Sequence, residues 1–240
     1  MKRVLNLPCA GGGTYTVEPE KIIALGLNYH DHIQESLSVK VQGFGTDVPP
    51  EPVLFPKLPS SIIGPGEAIR LPRILEDYSF QEERTDYEGE LAIIIGREGC
   101  DIPPSRAGEY IFGFTCANDV SQRNLQNGDR SGWFRGKSFD TFLPLGPRIV
   151  PAGEMPNPQD LEIITRRNGQ VVQKGSTARM ITPIGEIISF VSRNFTLREG
   201  DIILTGTPAG VGPLAHGDVI EVEIQGIGVL QNPVLDPRCP

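Results

Sequence analysis

Hydrophobic and polar positions along this chain fall mostly into short runs of strand type. The run "ELAIIIG" at 90–96 is continuous and β-branched, which predicts a buried strand. "EIITRRNGQVVQKG" sets Asn168-Gly169 between two strand-like segments, the strongest short signal for a β-hairpin. Near the end of the chain, "DVIEVEIQGIG" turns Ile220, Val222 and Ile224 to one side and Glu221 and Glu223 to the other, a half-buried strand of period two. Helical patterns are few and short. The clearest is "TPIGEIISFVSRNF", which predicts a helix with Thr182 as N-cap, Pro183 at the first helical position, and an apolar stripe of Ile184, Ile187, Ile188, Val191 and Phe195. The whole reads as a β-rich α+β fold. A doubly wound nucleotide fold is not supported, since "GGG" at 11–13 and "GTPAGVG" at 206–212 match neither a Walker loop nor GxGxxG.

Composition narrows the picture. A chain of 240 residues with 38% hydrophobic content can bury one sizeable core, and strand-rich domains run to roughly 250 residues. Its 28 glycines and 22 prolines are dispersed. The one shift in composition, "KVQGFGTDVPPEP" at 40–52, reads as an extended connection between an N-terminal segment, 1–52, and a body, 53–240, together expected to form one structural domain. A net charge of −8 and a pI near 5.0 repel phosphate backbones and anionic lipid surfaces, so neither nucleic acid nor membrane is expected as a partner. Cys9, Cys100, Cys116 and Cys239 form no zinc or disulfide pattern. No stretch has the length of a signal h-region or a membrane span, and a cytoplasmic location is expected.

The candidate chemistry begins at "TDYEGELAIIIG", residues 85–96. In a strand, Glu88 and Glu90 project from one face. An exposed strand end would be the ordinary place for them. Asp119, just past the apolar part of "YIFGFTCANDV", changes this, because pairing the two strands would bring three carboxylates to one end of the sheet. Three partly buried anions repel one another unless a cation or protons neutralise them. An all-oxygen set selects Mg²⁺, Mn²⁺ or Ca²⁺ over zinc. Upstream, "GLNYHDHIQES" puts His32 and Glu35 on one face if it is helical, with His30 and Gln34 as a competing pair. Lys137 stands among aromatics in "WFRGKSFDTFLPLGP", where it could simply snorkel along an apolar surface.

Seven blocks, "LNYHDHIQES", "PVLFPKLPSSIIGPG", "DYEGELAIIIG", "GFTCANDVSQRNLQ", "GKSFDTFLPLGP", "NGQVVQKGSTARMI" and "LREGDIILTGTPAGVGPLAHGDVIEVEIQGIG", resemble in that order the fumarylacetoacetate hydrolase family. The likeness is to its short acylpyruvase or fumarylpyruvate hydrolase-like branch and runs from about Lys21 to Val234. The resemblance implies a mixed β-sheet roll with few short helices, in homodimers. It implies a metal triad of Glu88, Glu90 and Asp119 holding Mg²⁺ or Mn²⁺, a catalytic dyad of His32 and Glu35, and Lys137 as a further electrophile. Arg123, Gln126 and Thr207 match positions that hold a 2-oxo acid substrate. The implied activity is hydrolysis of a carbon–carbon bond in an acylpyruvate such as fumarylpyruvate. Decarboxylation of oxaloacetate, decarboxylation or isomerisation of a 2-oxo-ene-dioate, and a metal-binding protein without turnover are the other readings. Residues 37–52 look longer than the compact link expected after the dyad, and 76–87 carry an acidic, basic and aromatic insert before the metal strand, in which Arg84 could meet a substrate's distal carboxylate or belong to a solvated charge cluster.

Overall fold

The apolar run of 90–96 becomes a middle strand because it has two cores to face. Its strand, β8 (Gly89–Ile95), is buried at all seven positions. Leu91, Ile93 and Ile95 enter one hydrophobic cluster, and Ala92 and Ile94 enter another on the opposite face. Alternation therefore disappears from the hydropathy pattern while persisting in the geometry. The protein is seen here in a computed structural model that describes residues 4–35, 48–128 and 133–239.

Among the described residues, β8 is the fourth of seven strands in the largest sheet. The order runs β4 (Val53–Lys57), β3 (Ile22–Gly26), β14 (Ile202–Leu204), β8, β9 (Ile111–Asn118), β11 (Leu143–Pro151) and β5 (Ile62–Ile63). The β3–β14 and β11–β5 pairs are parallel and the others antiparallel, so the sheet is mixed. A second sheet of five strands has the order β13 (Gln170–Ser176), β12 (Glu162–Arg167), β16 (Val219–Ile224), β17 (Gly228–Leu235) and β6 (Ile69–Arg70). Its inward residues Ile163, Val222 and Ile224 meet Leu91, Ile93 and Ile95 in one core. The remaining strands are a hairpin of β1 (Leu5–Pro8) and β2 (Thr14–Val17), and a small sheet of β10 (Ser121–Gln122), β7 (Thr85–Tyr87) and β15 (Gly212–Pro213).

The β12–β13 hairpin turns at Asn168 and Gly169, with φ of 53° and 77°. Two consecutive left-handed residues are what a type I′ turn requires. The Ile184–Asn194 helix buries Ile184, Ile187, Ile188 and Val191 in the same core. Two expectations about it are corrected. The N-cap is Pro183, in an extended conformation, because the Thr182 backbone is held outside the helix by Asn28, whose side chain binds its N–H and C=O at 2.8 and 3.2 Å. A capping oxygen comes instead from Gln159, which accepts the Ile184 N–H at 2.8 Å. Phe195 lies beyond the stripe, as the C-cap, and is 48% exposed. No helix among the described residues is long and apolar enough to cross a membrane.

Candidate functional site

Glu88 and Asp119 sit where one ladder stops and another starts. The β8–β9 pairing ends at Gly89 and Asn118, and β7 pairs with β10 beyond the break. Across it, the Asp119 N–H donates to the Glu88 carbonyl at 2.8 Å, and the Glu88 N–H to the Asn118 side chain at 2.9 Å. Glu90 follows on β8. Carboxylate oxygens of Glu88, Glu90 and Asp119 thereby lie within 4.8 Å of one another, all three residues buried. A solvated strand end is excluded, since Glu88 is 4% and Glu90 1% exposed.

Cations face these acids. Lys137 closes the short Phe134–Lys137 helix, and its Nζ donates to Glu88 Oε2 at 2.6 Å and Asp119 Oδ2 at 2.7 Å. It does not snorkel, because two buried carboxylates draw it inward across the Phe55 ring. Lys57, at the inner end of β4, pairs with Asp119 Oδ1 at 2.7 Å and also donates to the Lys137 carbonyl. Arg123 opens the Arg123–Gly128 helix. It gives Nη2 to Glu88 Oε1 at 2.5 Å, Nη1 to Gln126 at 2.9 Å and Nε to Asp86 Oδ2 at 2.8 Å. The other oxygen of Asp86 takes Arg84 Nε at 2.8 Å, so Arg84 belongs to a half-buried ion-pair chain and not to a solvated cluster.

These fields separate the acids. Burial pushes the Glu88 carboxyl up, but Arg123, Lys137 and His32 outweigh it and hold the group well below the usual range. Burial, Asp119 and Glu88 together drive Glu90 well above it, against one main-chain donor, the Gly206 N–H at 2.7 Å. Burial and Lys137 lower Lys57 despite Asp119. Lys137 is raised, since Asp119 and Glu88 overcome its burial.

The opposite wall is built from distant segments. His32, on the His30–Glu35 helix, is buried and lines a cavity with Glu88, Glu90, Arg123, Lys137 and Thr207. His30 is exposed, so of the two histidines His32 is the one at the acids. The Glu35 side chain lies outside the described residues, as do residues 36–47. Thr207 Oγ1 donates its hydrogen to the Gly89 carbonyl at 2.9 Å and accepts from Gln173 at 2.9 Å. The residues fit a hard divalent ion: three oxygen donors converge, and Glu90 is unfavourably charged beside its neighbours until a cation compensates it.

Lys57, Asp86 and Gln173 were not singled out by the sequence. Period two could have found the first two, because Lys57 shares a parity with the inward Phe55, and Asp86 shares one with Glu88 and Glu90. Nothing local marks Gln173, whose partners lie 84 and 34 positions away.

Residues 21–235 match the family described as fumarylacetoacetate (FAA) hydrolase C-terminal. The mitochondrial oxaloacetate tautomerase FAHD2A of Homo sapiens is 40% identical over 227 residues, 90% of this chain and 67% of its own. A 5-carboxymethyl-2-hydroxymuconate delta-isomerase from Mycobacterium smegmatis is 40% identical with a TM-score of 0.78, over 94% of this chain and 86% of that one. A fumarylpyruvate hydrolase from Pseudomonas aeruginosa, solved with Mn²⁺ and pyruvate, is 30% identical with a TM-score of 0.84, over 97% and 96%.

Proposed function

The chain belongs to the fumarylacetoacetate (FAA) hydrolase family, and from that premise we propose that it is a divalent-metal enzyme that makes and quenches the enolate of a 2-oxo dicarboxylic acid. The favoured reaction is keto–enol tautomerisation of an oxaloacetate-like dianion. The observation that carries this reading is the balance of buried charge. Asp86, Glu88 and Asp119 are ion-paired with Arg84, Arg123, Lys57 and Lys137, and buried Glu90, which is in none of these pairs, brings the acids to the same number as the cations. A divalent cation that holds Glu90 ionised would leave two positive charges in excess, which a dianionic substrate neutralises in a site shielded from water.

A Mg²⁺ or Mn²⁺ held by Glu88, Glu90 and Asp119 would supply Lewis-acid polarisation of the 2-oxo acid. His32 takes a proton from the carbon beside the 2-oxo group and returns it at carbon or oxygen. Negative charge grows on the 2-oxo oxygen as the proton leaves, and the ammonium of Lys137 offsets it. Arg123, fixed by Asp86 and Gln126, holds a substrate carboxylate. The identity of two relatives, the tautomerase and the isomerase, supports proton transfer as the principal chemistry.

A second reading is hydrolysis of an acylpyruvate, favoured by the likeness to fumarylpyruvate hydrolase over 96% of that chain. Here His32, assisted by Glu35, would activate water for attack on the distal carbonyl, releasing a carboxylic acid and pyruvate. The experiment is a panel of oxaloacetate, fumarylpyruvate and dienedioates with Mn²⁺. It follows enol–keto absorbance, exchange of the C3 hydrogens in D₂O, pyruvate and CO₂ separately. Metal-dependent C3 exchange without pyruvate is expected for oxaloacetate. Pyruvate and an acid from fumarylpyruvate would establish hydrolysis instead, and no exchange on any 2-oxo acid would end the enolate reading.

A further inference from the structure

Gln173 lies on β13, in the second sheet, and is 1% exposed. All of its amide is engaged. Its oxygen accepts the Gly89 N–H at 3.0 Å, and its nitrogen donates to Thr207 Oγ1 at 2.9 Å and the Pro208 carbonyl at 2.8 Å. Thr207 Oγ1 passes its own hydrogen to the Gly89 carbonyl at 2.9 Å. The result is a closed ring in which both main-chain polar groups of Gly89, the residue between Glu88 and Glu90, are held by one glutamine and one threonine. Gly206, next to Thr207, donates in turn to Glu90 at 2.7 Å. There is no slack around it: a Cβ on Gly89 would come within 2.2 Å of Thr165 Oγ1 and 3.3 Å of Gln173 Oε1.

We infer that Gln173 is a positioning residue, which sets the spacing between the Glu88–Glu90 strand and the Gly206–Pro208 loop so that metal and 2-oxo acid are bound together. The inference rests on the 2-oxo acid reading of the site. Only glutamine has the required inventory at this reach, one acceptor and two donors. Glutamate of the same length keeps an acceptor for Gly89 but has no hydrogen for Thr207 or Pro208. Asparagine is one methylene short, and methionine fills the space without any of the bonds.

The test uses the full chain as wild type, Gln173→Met, Gln173→Glu, Thr207→Val and the Gln173→Met/Thr207→Val double variant. Three quantities are measured: melting temperature, Mn²⁺ affinity by electron paramagnetic resonance, and oxalate affinity of the Mn²⁺-loaded protein by calorimetry. Gln173→Met is expected to weaken oxalate binding about tenfold or more, as removal of several hydrogen bonds to a charged-group scaffold implies. The double variant should be no weaker than the weaker single, within about threefold, because both substitutions open the same ring. Should Gln173→Met fail to fold, Gln173→Glu carries the same threshold. A lowered melting temperature with Mn²⁺ and oxalate affinities within about twofold of wild type would make Gln173 structural only and overturn the inference, as would fully multiplicative losses in the double variant. If wild type itself binds neither Mn²⁺ nor oxalate, the 2-oxo acid reading falls and takes this inference with it.

Discussion

Glu88 and Glu90 are two positions apart and sit in opposite fields, the first among cations and the second beside anions. Glu88→Gln keeps the shape and removes the charge, so Mn²⁺ affinity should drop by more than the roughly 10–100-fold that outer partners of metal ligands cost. Calorimetric titration, with circular dichroism to verify folding, checks this. His32→Ala should lower turnover by about 10²–10⁴-fold, the range for a general acid–base group, while Mn²⁺ affinity changes little. Steady-state kinetics with parallel metal titration separates the two effects. Cys116, opposite Leu91 on the neighbouring strand, gives a pH signature. Burial pushes its thiol up to about 12, above a value near 8.5 in an unfolded chain. A raised group stabilises the fold fully below its unfolded value, and the contribution is lost as pH climbs toward its folded one. Stability should therefore fall between about pH 8.5 and 12 with a slope of up to ~1.4 kcal/mol per unit. Cys116→Ser, which can still donate to the Gly228 carbonyl reached by Sγ at 3.5 Å, should flatten that slope in urea unfolding. At this scale the sequence was informative wherever a residue type was out of place in its local pattern: two glutamates entering an apolar run could be read at once. For Lys57 only its inward parity with Phe55 was legible and not its partner, because nothing around "VLFPK" says that an acid 62 positions onward will pair with it.

At the scale of elements, local signals were legible and distant constraints were not. Asn168-Gly169 fixes its own turn, so the hairpin needed no tertiary information. The start of the Ile184–Asn194 helix moved by one position because Asn28, 154 residues away, holds Thr182 out. The two short helices that carry Arg123 and Lys137 show the same dependence. Gly136 is where they touch, and a Cβ there would lie 2.6 Å from the Gln126 nitrogen and 2.7 Å from the Gln122 carbonyl oxygen. These are backbone atoms and cannot swing aside. Gly136→Ala should cost about 1–3 kcal/mol by overpacking and displace Lys137, its chain neighbour. Urea unfolding measures the first effect and Mn²⁺ titration the second.

For the whole molecule, metal binding and folding are linked. An ion that binds only the native state at 100 times its Kd adds about 2.7 kcal/mol. Thermal melts should rise with Mn²⁺ in the wild type and stay level for Glu88→Gln. The β-rich α+β class was legible because strand periodicity recurs from end to end. The layering of two sheets was not, since β8 is flanked by a strand from residues 202–204 on one side and one from residues 111–118 on the other.

That placement of β14 also bears on how the protein is made. Emerging from the ribosome, a chain that stops short of Leu204 has β3 and β8 but not the strand that lies between them, nor the Gly206 donor to Glu90. Its four acidic groups would be gathered, if at all, without their full set of restraints. Loop closure over so long a span is slow, so assembly of the site should wait until residues 202–206 have emerged. Nascent chains truncated before Leu204 should accordingly fail to retain Mn²⁺ in pull-down assays that the 240-residue chain passes.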